Sequence, residues 1–163
     1  MISLTADIHP NAREWRNHLN VRRWCRQFTL ISESEHAEWL KKIHSDPKIK
    51  MFGIGHSGEQ VGVCGFTSID LINRNAEFSL YINAENQDLG YGAPALMQLI
   101  DHGFDDFGLK RIWGEVFDGN PALKKFLDLG FRPEGVLRSS YFRDGKYINS
   151  HIIGMLSDER SWW

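Results

Sequence analysis

The stretch at residues 87–93, QDLGYGA, carries the clearest chemical signal in the chain. Gly90 and Gly92 let the backbone turn sharply and approach a ligand closely, because they have no side chain to stand in the way. Pro94 suits the first turn of a helix, where its missing N–H costs nothing. The other amide groups of that turn would then point outward at the positive end of a helix dipole. We therefore predict an anion site here, with phosphate as the expected anion.

A second candidate for chemistry lies just upstream, in the run AEFSLYI at residues 76–82. Apolar and polar side chains alternate along this run, which is typical of a strand with one buried face. Glu77 lies on the polar face, and a carboxylate in a half-buried cleft can accept a proton near neutral pH. We take Glu77 as the candidate general base, and a surface or ion-paired glutamate is the structural alternative.

Residues 90–95 also fit loosely the dinucleotide fingerprint G-x-G-x-x-G/A, which would indicate an NAD(P)-dependent oxidoreductase. Two features count against that interpretation. The preceding strand alternates, whereas strands of a doubly wound parallel sheet are covered on both faces and read as continuous apolar runs. In addition, only one strand–helix–strand unit is visible in the pattern. Phosphate binding outside a Rossmann fold is favoured, and a helix start without a ligand is the remaining alternative.

The elements around these residues are predicted to form a single domain, residues 1–163, of mixed helices and strands. Periodicities of three and four indicate helices, and alternation indicates strands. The predicted helices span 9–20, 32–44, 95–107 and 120–129. The predicted strands span 1–6, 50–56, 60–70, 76–82, 110–117, 131–142 and 146–155. In the second helix, the side chains expected to face the core are Ala37, Leu40 and Ile43.

The connections between these elements predict the directions of the strands. Short turns join the three strands from residue 50 to residue 82 into an antiparallel meander. The helix after the glycine stretch is a crossover, so the strand at 110–117 must run parallel to the strand at 76–82. Two neighbouring parallel strands that diverge after such a crossover create a cleft near their C-terminal ends.

The composition indicates a chain without a surface for nucleic acid or membranes. The formal charge is −2, which leaves no basic excess for nucleic acid or for an anionic membrane. No apolar run approaches the roughly 20 residues of a membrane span, and no signal-peptide pattern opens the chain. Cys25 and Cys64 are isolated, and the histidines lack the spacing of a zinc site. We therefore expect a cytoplasmic protein with reduced thiols and no metal.

The most basic part of the chain contains Arg16, Arg22, Arg23 and Arg26. A charge run of this kind is usually a solvated helix face. The alternative is that some of these side chains frame a negatively charged ligand, because a guanidinium group can bind phosphate or carboxylate through two parallel hydrogen bonds. Both interpretations remain open from the sequence.

The glycine stretch QDLGYGA resembles the Q/R-x-x-G-x-G/A pyrophosphate loop of the GCN5-related N-acetyltransferase (GNAT) family, whose members use acetyl-CoA. Other stretches resemble that family's central strand (76–82), its N…LGF element (Asn120 with 129–131) and the terminal hairpin of one subgroup (133–138 and 144–147). That subgroup contains ribosomal-protein, diamine and amino-sugar acetyltransferases. The N-terminal part is similar to the nucleotide-sugar N-acetyltransferases of pseudaminic acid synthesis at Trp15, Arg16, Asn17, Val21, Arg22, Gln27, Ile31, Ser32, Glu35, His36 and Trp39.

The resemblance implies a GNAT-like α/β fold: a mixed, mostly antiparallel central sheet of about six to seven strands, flanked by helices, with one parallel β-α-β unit splayed at the cofactor cleft. It also implies that acetyl-CoA lies in this cleft, with its pyrophosphate on the glycine stretch and its pantetheine arm along the central strand. The implied cofactor-binding residues are Leu80, Tyr81, Ile82, Gln87, Asp88, Leu89, Gly90, Tyr91, Gly92, Ala93, Asn120 and Phe126. The implied substrate-binding residues are Arg16, Asn17, Gln27 and His36.

The general acid is where the sequence departs from the family pattern. Many members carry a tyrosine shortly before the Gly-Phe of the LGF element, but this chain has Phe126 there, and a phenyl ring cannot donate a proton. Tyr141 on the terminal hairpin is the candidate substitute, and Tyr81 is a weaker one. Direct attack with solvent protonating the thiol would need no acid at all.

The expected function is that of an acetyl-CoA-dependent N-acetyltransferase acting on a primary amine of a small molecule, with a nucleotide-linked amino sugar as the first candidate. The alternatives are a polyamine acetyltransferase, a ribosomal-protein N-terminal acetyltransferase and a non-catalytic acyl-CoA-binding module. A polyamine site should be lined with carboxylates, whereas the N-terminal region is rich in arginine. The chain could also form a homodimer, and its tail at residues 161–163 either folds back on the core or packs against a second subunit.

Overall fold

The computed structural model describes residues 1–162 and places seven strands in one sheet. The strands are β1 (Ile2–Thr5), β2 (Lys50–His56), β3 (Glu59–Asp70), β4 (Asn75–Ile82), β5 (Arg111–Phe117), β6 (Arg132–Arg143) and β7 (Lys146–Leu156). The α-helices are α1 (Ala12–Asn17), α2 (Leu19–Arg22), α3 (Glu33–Ser45), α4 (Gly92–Asp101) and α5 (Ala122–Asp128). None of the helices in the described part of the chain is long and apolar enough to cross a membrane.

The sheet confirms the predicted mixed topology. Its strand order is β1-β2-β3-β4-β5-β7-β6, and the only parallel neighbours among the described strands are β4 and β5. Short turns connect β2, β3 and β4, which explains their antiparallel pairing, while the crossover through α4 requires β5 to run parallel to β4. The long outer hairpin β6–β7 is closed by a two-residue turn at Asp144 and Gly145, both with positive φ.

The two parallel strands separate halfway along their length. Their pairing runs from Asn75↔Arg111 to Glu77↔Trp113. Beyond that point β4 stays paired with β3 as far as Ile82, and β5 stays paired with β7 as far as Phe117. Since each strand keeps its outer neighbour while losing the inner one, a gap opens between β4 and β5 toward their C-terminal ends. The predicted splay is therefore present.

Helices cover both faces of the sheet and bury two apolar layers. The larger layer packs α4 against one face and includes Phe66, Leu96, Leu99 and Ile112, all completely buried. The smaller layer packs α1 and α3 on the other face around Val63. Burying a side chain of this size contributes roughly 1.5–3 kcal/mol, so these layers fix the sheet on which the gap is built.

Helix α4 differs from the prediction at both ends. It begins at Gly92 instead of Ala95, so Pro94 is its third residue, and it ends at Asp101. A π-helical segment follows at His102–Asp106. Gly103 lies so close to the sheet there that a Cβ would come within 2.6 Å of Phe66. The helix therefore takes its wider, π-helical turn at a residue that has no side chain.

Two further expectations are corrected in the N-terminal third. The helix expected at 9–20 is broken at His18, which has extended backbone and accepts a hydrogen bond from the Asn20 amide through Nδ1 (3.3 Å). In α3, Ala37 is exposed and Trp39 packs against the smaller layer together with Ile43. An indole has far more apolar area to bury than a methyl group, so the side of α3 that carries Trp39 faces the sheet and Ala37 faces solvent.

The C-terminal tail folds back on the domain as far as it is described. Trp162 packs against the larger layer, and its Nε1–H donates a hydrogen bond to Asp101 Oδ1 (3.0 Å). Of the two alternatives for the tail, packing on the core is therefore confirmed for Trp162. Trp163 lies outside the described residues.

Candidate functional site at the strand gap

The glycine loop leaves β4 at the open end of the gap. Asn83 is buried and caps a 3₁₀ turn at Ala84–Asn86, and its Oδ1 accepts a hydrogen bond from the Asn86 amide (3.0 Å). The Gln87 side chain donates to the Ile82 carbonyl (3.2 Å), which fixes the start of the loop to the end of β4. These local bonds hold the loop in place without any ligand.

Gly90 has φ +84°, in the left-handed region that only glycine adopts easily. A Cβ built on it would meet nothing within 4 Å, so its surroundings are open. Asp88, two residues earlier, also has positive φ. Left-handed residues that alternate with one of negative φ, here Leu89, turn the backbone so that its N–H groups can line a concave anion site.

The first turn of α4 lies directly against the end of β4. A Cβ on Gly92 would lie 3.8 Å from Leu80 and 3.9 Å from Ile82. No side chain of the described chain caps this turn with a hydrogen bond. Its N–H groups are thus available to an anion at the mouth of the gap. On the other side, Lys125 Nζ approaches Asp88 Oδ1 (3.4 Å), which places an exposed cation beside the same loop.

At the inner end of the gap, two carboxylates face each other across the split. Glu77 ends the paired part of β4, and Glu115 lies two residues beyond its partner Trp113 on β5, so both side chains are on the same face of the sheet. Their side chains are only 10% and 7% exposed. Thr67 Oγ1 donates a hydrogen bond to Glu77 Oε2 (3.3 Å).

Arg26 bridges these two carboxylates. Its Nη1 donates to Glu77 Oε2 (3.2 Å), its Nη2 contacts Glu77 Oε1, and its Nε donates to Glu115 Oε2 (2.7 Å). Although burial lowers it, the hydrogen bonds and negative charges of Glu77 and Glu115 raise the pKa of Arg26 above its usual range. The guanidinium group is therefore a permanent cation between two buried anions.

Tyr141 and Ser150 complete this cluster from the outer hairpin. Tyr141 Oη donates to Glu115 Oε2 (3.3 Å), and Ser150 Oγ donates to Glu115 Oε1 (2.5 Å). Burial and the nearby Glu115 carboxylate raise the pKa of Tyr141 above its ordinary value. Its phenol stays protonated at neutral pH and can act as a proton donor. The two catalytic candidates, Glu77 and Tyr141, are therefore brought into one network through Arg26 and Glu115.

Two other arginines of the basic stretch, Arg16 and Arg22, are directed at the backbone of the loop that carries Arg26, residues 23–31. Arg16 Nη2 donates to the Gln27 carbonyl (3.4 Å), and Arg22 Nη1 donates to the Phe28 carbonyl (2.9 Å). Asn17 forms two hydrogen bonds with the backbone of Ile31, at 2.9 and 2.8 Å. Arg16 and Asn17, expected to bind substrate, thus hold this loop in the structure.

Arg143 anchors the same loop from the outer hairpin. Its Nη2 donates to the carbonyls of Arg26 (2.6 Å) and Cys25 (3.4 Å). Its guanidinium also lies over the rings of Phe28 (5.2 Å) and Tyr141 (5.4 Å). Such stacking on aromatic faces adds to the hydrogen bonds. The loop is therefore fixed both by α1 and by the outer hairpin.

Three other predicted site residues make contacts outside the carboxylate cluster: Asn120, Phe126 and Tyr81. Asn120 Oδ1 accepts a hydrogen bond from the Ala122 amide (3.0 Å), as a residue at a helix start does. Phe126 packs edge-on against Phe78, with 5.2 Å between ring centroids, on the apolar side of the sheet. Tyr81 Oη donates to the Ala12 carbonyl (3.2 Å), and burial raises its pKa well above its ordinary value.

Gln27 lies within the loop, and His36 lies beyond its C-terminal end. Gln27 is exposed on the loop itself, next to Arg26. His36 lies on α3 and stacks on Trp39, with 5.5 Å between ring centroids. Partial burial and the positive charge of Arg13 lower the pKa of His36, so its imidazole is neutral at neutral pH. Neither residue is part of the carboxylate cluster.

The sequence analysis missed Glu115. The signal was present in the alternation of β5, where Ile112, Gly114 and Val116 are buried and Glu115 falls on the opposite face. Combined with the parallel register of β4 and β5, that alternation puts Glu115 on the same face as Glu77.

A comparison with protein-family models matches residues 3–132 to the acetyltransferase (GNAT) domain, which covers most of the chain. The chain belongs to the GNAT family. The family resemblance, the fold and the class of enzyme, an N-acetyltransferase, are thereby confirmed. Acetyl-CoA is the cofactor of this family, and the open glycine turn, the uncapped start of α4 and the strand gap fit a coenzyme with a diphosphate and a long extended arm.

Relatives of this GNAT chain include enzymes with different acceptors. It is 32% identical over 81% of its length to an uncharacterized N-acetyltransferase of Bacillus licheniformis, p20, spanning 76% of that protein. It is 32% identical over 68% of its length to the spermidine N(1)-acetyltransferase of Escherichia coli, spanning 59% of that enzyme. It is 28% identical over 77% of its length to the acetyltransferase PseH of Campylobacter jejuni, spanning 82% of that protein.

Among solved structures, the spermidine N-acetyltransferase of Vibrio cholerae in complex with CoA and spermine superposes with a TM-score of 0.89 at 23% identity. The match covers 97% of this chain and 96% of that one. At this identity the likeness shows the shared fold. Another structure of the V. cholerae enzyme, described as dodecameric, matches with a TM-score of 0.82 at 25% identity, covering 96% of this chain and 94% of that one.

Proposed function

We propose that this GNAT enzyme transfers an acetyl group to the primary amine of a small molecule that enters the gap from the side of the carboxylate cluster. The observation that carries the proposal is the position of Glu77, a buried carboxylate at the point where β4 and β5 separate. Acetyl-CoA, when bound, supplies the activated acetyl group as a thioester. The protein then has to bind an ammonium group, remove its proton and keep water away.

In this proposal the glycine loop holds the cofactor's diphosphate. The amides of Gly90 to Ala93 and the start of α4 supply donors for it, and Lys125 supplies a nearby positive charge. Leu80 and Ile82, next to Gly92, direct the extended arm into the gap along the free edge of β4. Backbone amides on that unpaired edge of β4 are the donors for the negative charge that develops on the acetyl oxygen.

Glu77 accepts the proton that the acceptor's ammonium group loses. Its Thr67 hydrogen bond holds one carboxylate oxygen in place, and its low exposure keeps competing water out. Tyr141 provides the proton for the leaving sulfur, because its raised pKa keeps the phenol protonated. The proton from nitrogen thus goes to a carboxylate, and the proton that sulfur receives comes from a phenol.

Two acceptor classes remain in this proposal. A nucleotide-linked amino sugar is supported by the resemblance of the N-terminal part and by the similarity to PseH. A polyamine is supported by Glu77 and Glu115, since two buried carboxylates attract a cation. The arginines that suggested an anionic acceptor lie against loop carbonyls, as Arg16 and Arg22 do, so they support the sugar less than the sequence implied.

The test is a panel assay with the purified protein and acetyl-CoA. Release of free CoA is followed with spermidine, a nucleotide-linked amino sugar and a peptide with a free N-terminus as acceptors. We expect turnover with one of the two small molecules and none with the peptide. Binding of CoA in calorimetry with no turnover on any amine would contradict the proposal and favour a non-catalytic acyl-CoA-binding module.

We also propose that the chain forms a homodimer. Exposed apolar side chains on the outer hairpin, including Val136, Leu137, Phe142 and Tyr147, support it. Light scattering on the eluted protein should give twice the mass of one chain. A mass of one chain at micromolar concentration would contradict the proposal.

A further inference from the structure

We infer that Arg26 is a displaceable gate of the acceptor position: its guanidinium occupies the cation position between Glu77 and Glu115 until the ammonium group of the acceptor takes its place. This inference rests on the proposed function. It specifies the acceptor as a primary amine that binds in its positively charged form and gives up its proton only inside the cluster.

The geometry places Arg26 where an acceptor nitrogen has to arrive. Glu77 is the group that takes the proton, and Arg26 already donates hydrogen bonds to both of its oxygens. The third bond, to Glu115, reaches across the split between the two strands. An amine that approaches Glu77 from this side therefore meets a guanidinium first, and both cannot occupy the same carboxylate oxygens.

The exposure of the three side chains indicates which of them moves. The Arg26 side chain is 47% exposed, whereas those of Glu77 and Glu115 are 10% and 7% exposed. A half-exposed guanidinium that leaves the cluster regains water easily. Two buried carboxylates cannot, and they need another cation in its place. An incoming ammonium group supplies that cation, so exchange is favoured over simple opening.

The backbone of Arg26 is held by contacts that do not involve its guanidinium group. Arg143 donates to the Arg26 carbonyl (2.6 Å), and Asn17 fixes the far end of the loop at Ile31. Displacement therefore needs only rotation about the side-chain bonds of Arg26, with no refolding of the loop. A long side chain on a fixed backbone can swing out and return in each catalytic cycle.

The competing explanation is a permanent clamp, in which Arg26 stays bound and holds Glu77 and Glu115 in position during catalysis. The two explanations predict opposite responses to a small guanidinium ion when Arg26 is shortened. For a clamp, methylguanidinium would replace the missing group and restore activity to Arg26→Ala. For a gate, methylguanidinium would occupy the acceptor position and inhibit Arg26→Ala competitively.

The experiment measures CoA release at varied acceptor concentration for the wild-type enzyme and Arg26→Ala, with and without methylguanidinium chloride. The acceptor is the amine that the panel assay identifies. We expect the KM for the acceptor to fall about twofold to fivefold in Arg26→Ala, because a half-exposed ion pair is a weak competitor. We further expect methylguanidinium to raise that KM in Arg26→Ala more than in the wild-type enzyme.

Arg132→Ala serves as the charge-matched control, since Arg132 pairs with Glu159 on the surface, far along β6 from the cluster. It should change neither the KM nor the response to methylguanidinium. Arg26→Lys is the second variant, because it keeps a cation near both carboxylates while losing the paired hydrogen bonds. Its KM should lie between those of the wild type and Arg26→Ala, and CoA binding by calorimetry shows that each variant is folded.

A KM that stays unchanged or rises in both Arg26 variants would overturn the gate, as would recovery of activity with methylguanidinium. In either case the wild-type enzyme still turns over, so the proposed function stands. If the wild-type enzyme releases no CoA with any amine, the proposed function fails and the gate fails with it. The two failures are therefore distinguishable in one data set.

Discussion

The two ends of the gap between β4 and β5 are built by different means. The proposed cofactor end is made by one continuous segment, residues 83–93, whose backbone amides are the proposed donors to the diphosphate. The acceptor end is made by side chains from four separate parts of the chain: Arg26, Glu77, Glu115 and Tyr141. The first depends on local backbone conformation, and the second depends on how distant elements pack. Under the proposed function, the reaction class and the choice of acceptor are therefore encoded in separate parts of the chain.

If the ends are separate, substitutions at one should leave the other unaffected. The substitution with the largest expected effect is Glu77→Gln, which keeps the shape of the side chain but removes the proton acceptor. We expect kcat to fall about 10²- to 10⁴-fold, the usual range for loss of a general base, with an unchanged dissociation constant for CoA. Steady-state kinetics and calorimetry on the same preparation measure both.

The control for this substitution is Glu134→Gln, which removes a glutamate paired with Arg111 at the other end of β5. It should leave kcat unchanged. A Glu77→Gln enzyme with near-normal kcat would show that the base lies elsewhere, and weakened CoA binding in that variant would show that the two ends are coupled.

The next largest effect is expected for Gly90→Val at the cofactor end. A β-branched residue at φ +84° is strained by about 1–3 kcal/mol, and relief of that strain distorts the loop. We expect CoA binding to weaken about tenfold to a hundredfold by calorimetry. Gly58→Val is the matched control, because Gly58 also has positive φ and open surroundings but lies in the β2–β3 turn.

Both glycine variants should lose similar stability in thermal unfolding, whereas only Gly90→Val should lose affinity for CoA. Wild-type affinity for CoA in both variants would mean that the loop does not bind the coenzyme. An equal loss of CoA affinity in both variants would mean that the effect is one of stability alone.

A smaller effect is expected for Tyr141→Phe at the acceptor end. We expect kcat to fall roughly tenfold to a hundredfold at neutral pH, because solvent can partly replace a phenol as the acid. The pKa of Tyr141 is raised by burial and by Glu115, so its protonated form persists above the ordinary tyrosine value of about 10. Wild-type kcat should therefore fall only at pH values above that, and the fall should be absent in Tyr141→Phe.

Tyr147→Phe is the control, since Tyr147 is exposed on the same hairpin. Its pH profile should match that of the wild-type enzyme. An unchanged kcat in Tyr141→Phe at every pH would instead favour direct attack with solvent as the acid.

The smallest effect is expected for Asn17→Ala, which removes two hydrogen bonds to the loop at Ile31. Each such bond contributes about 0.5–1.5 kcal/mol, so the loop that carries Arg26 becomes less ordered. Because Arg26 then competes less well with the acceptor for Glu77, the KM for the acceptor should fall by a factor of about two. The dissociation constant for CoA should stay the same. Asn20→Ala on the neighbouring helix is the control, and a change in CoA binding in Asn17→Ala would contradict the separation of the two ends.

The glycine turn and the strand before it, which form the proposed cofactor end, could be predicted from sequence because their determinants are local. The glycines, the proline and the alternation of β4 lie within about 20 consecutive residues, and each has a fixed conformational meaning. The start of α4 was misplaced by three residues, because glycine at 92 is a poor helix former whose disadvantage is outweighed by packing against Leu80 and Ile82.

The acceptor end could be predicted only in part because its contacts are distant in sequence. Arg26 and Glu77 are 51 residues apart, and Arg26 and Glu115 are 89 apart. No periodicity relates such positions, so Glu115 was missed although its strand was placed correctly. The arginine-rich stretch was also ambiguous, since a guanidinium group satisfies a backbone carbonyl as readily as it binds an anion.

A crystal structure of the protein with CoA decides the claim that the glycine loop and the gap between β4 and β5 bind the cofactor. We predict diphosphate oxygens within hydrogen-bonding distance, about 3 Å, of the amides between Gly90 and Ala93, with the sulfur in the gap on the side of Glu77. A coenzyme bound away from the glycine loop, or a gap closed by renewed pairing of β4 with β5, would contradict the claim.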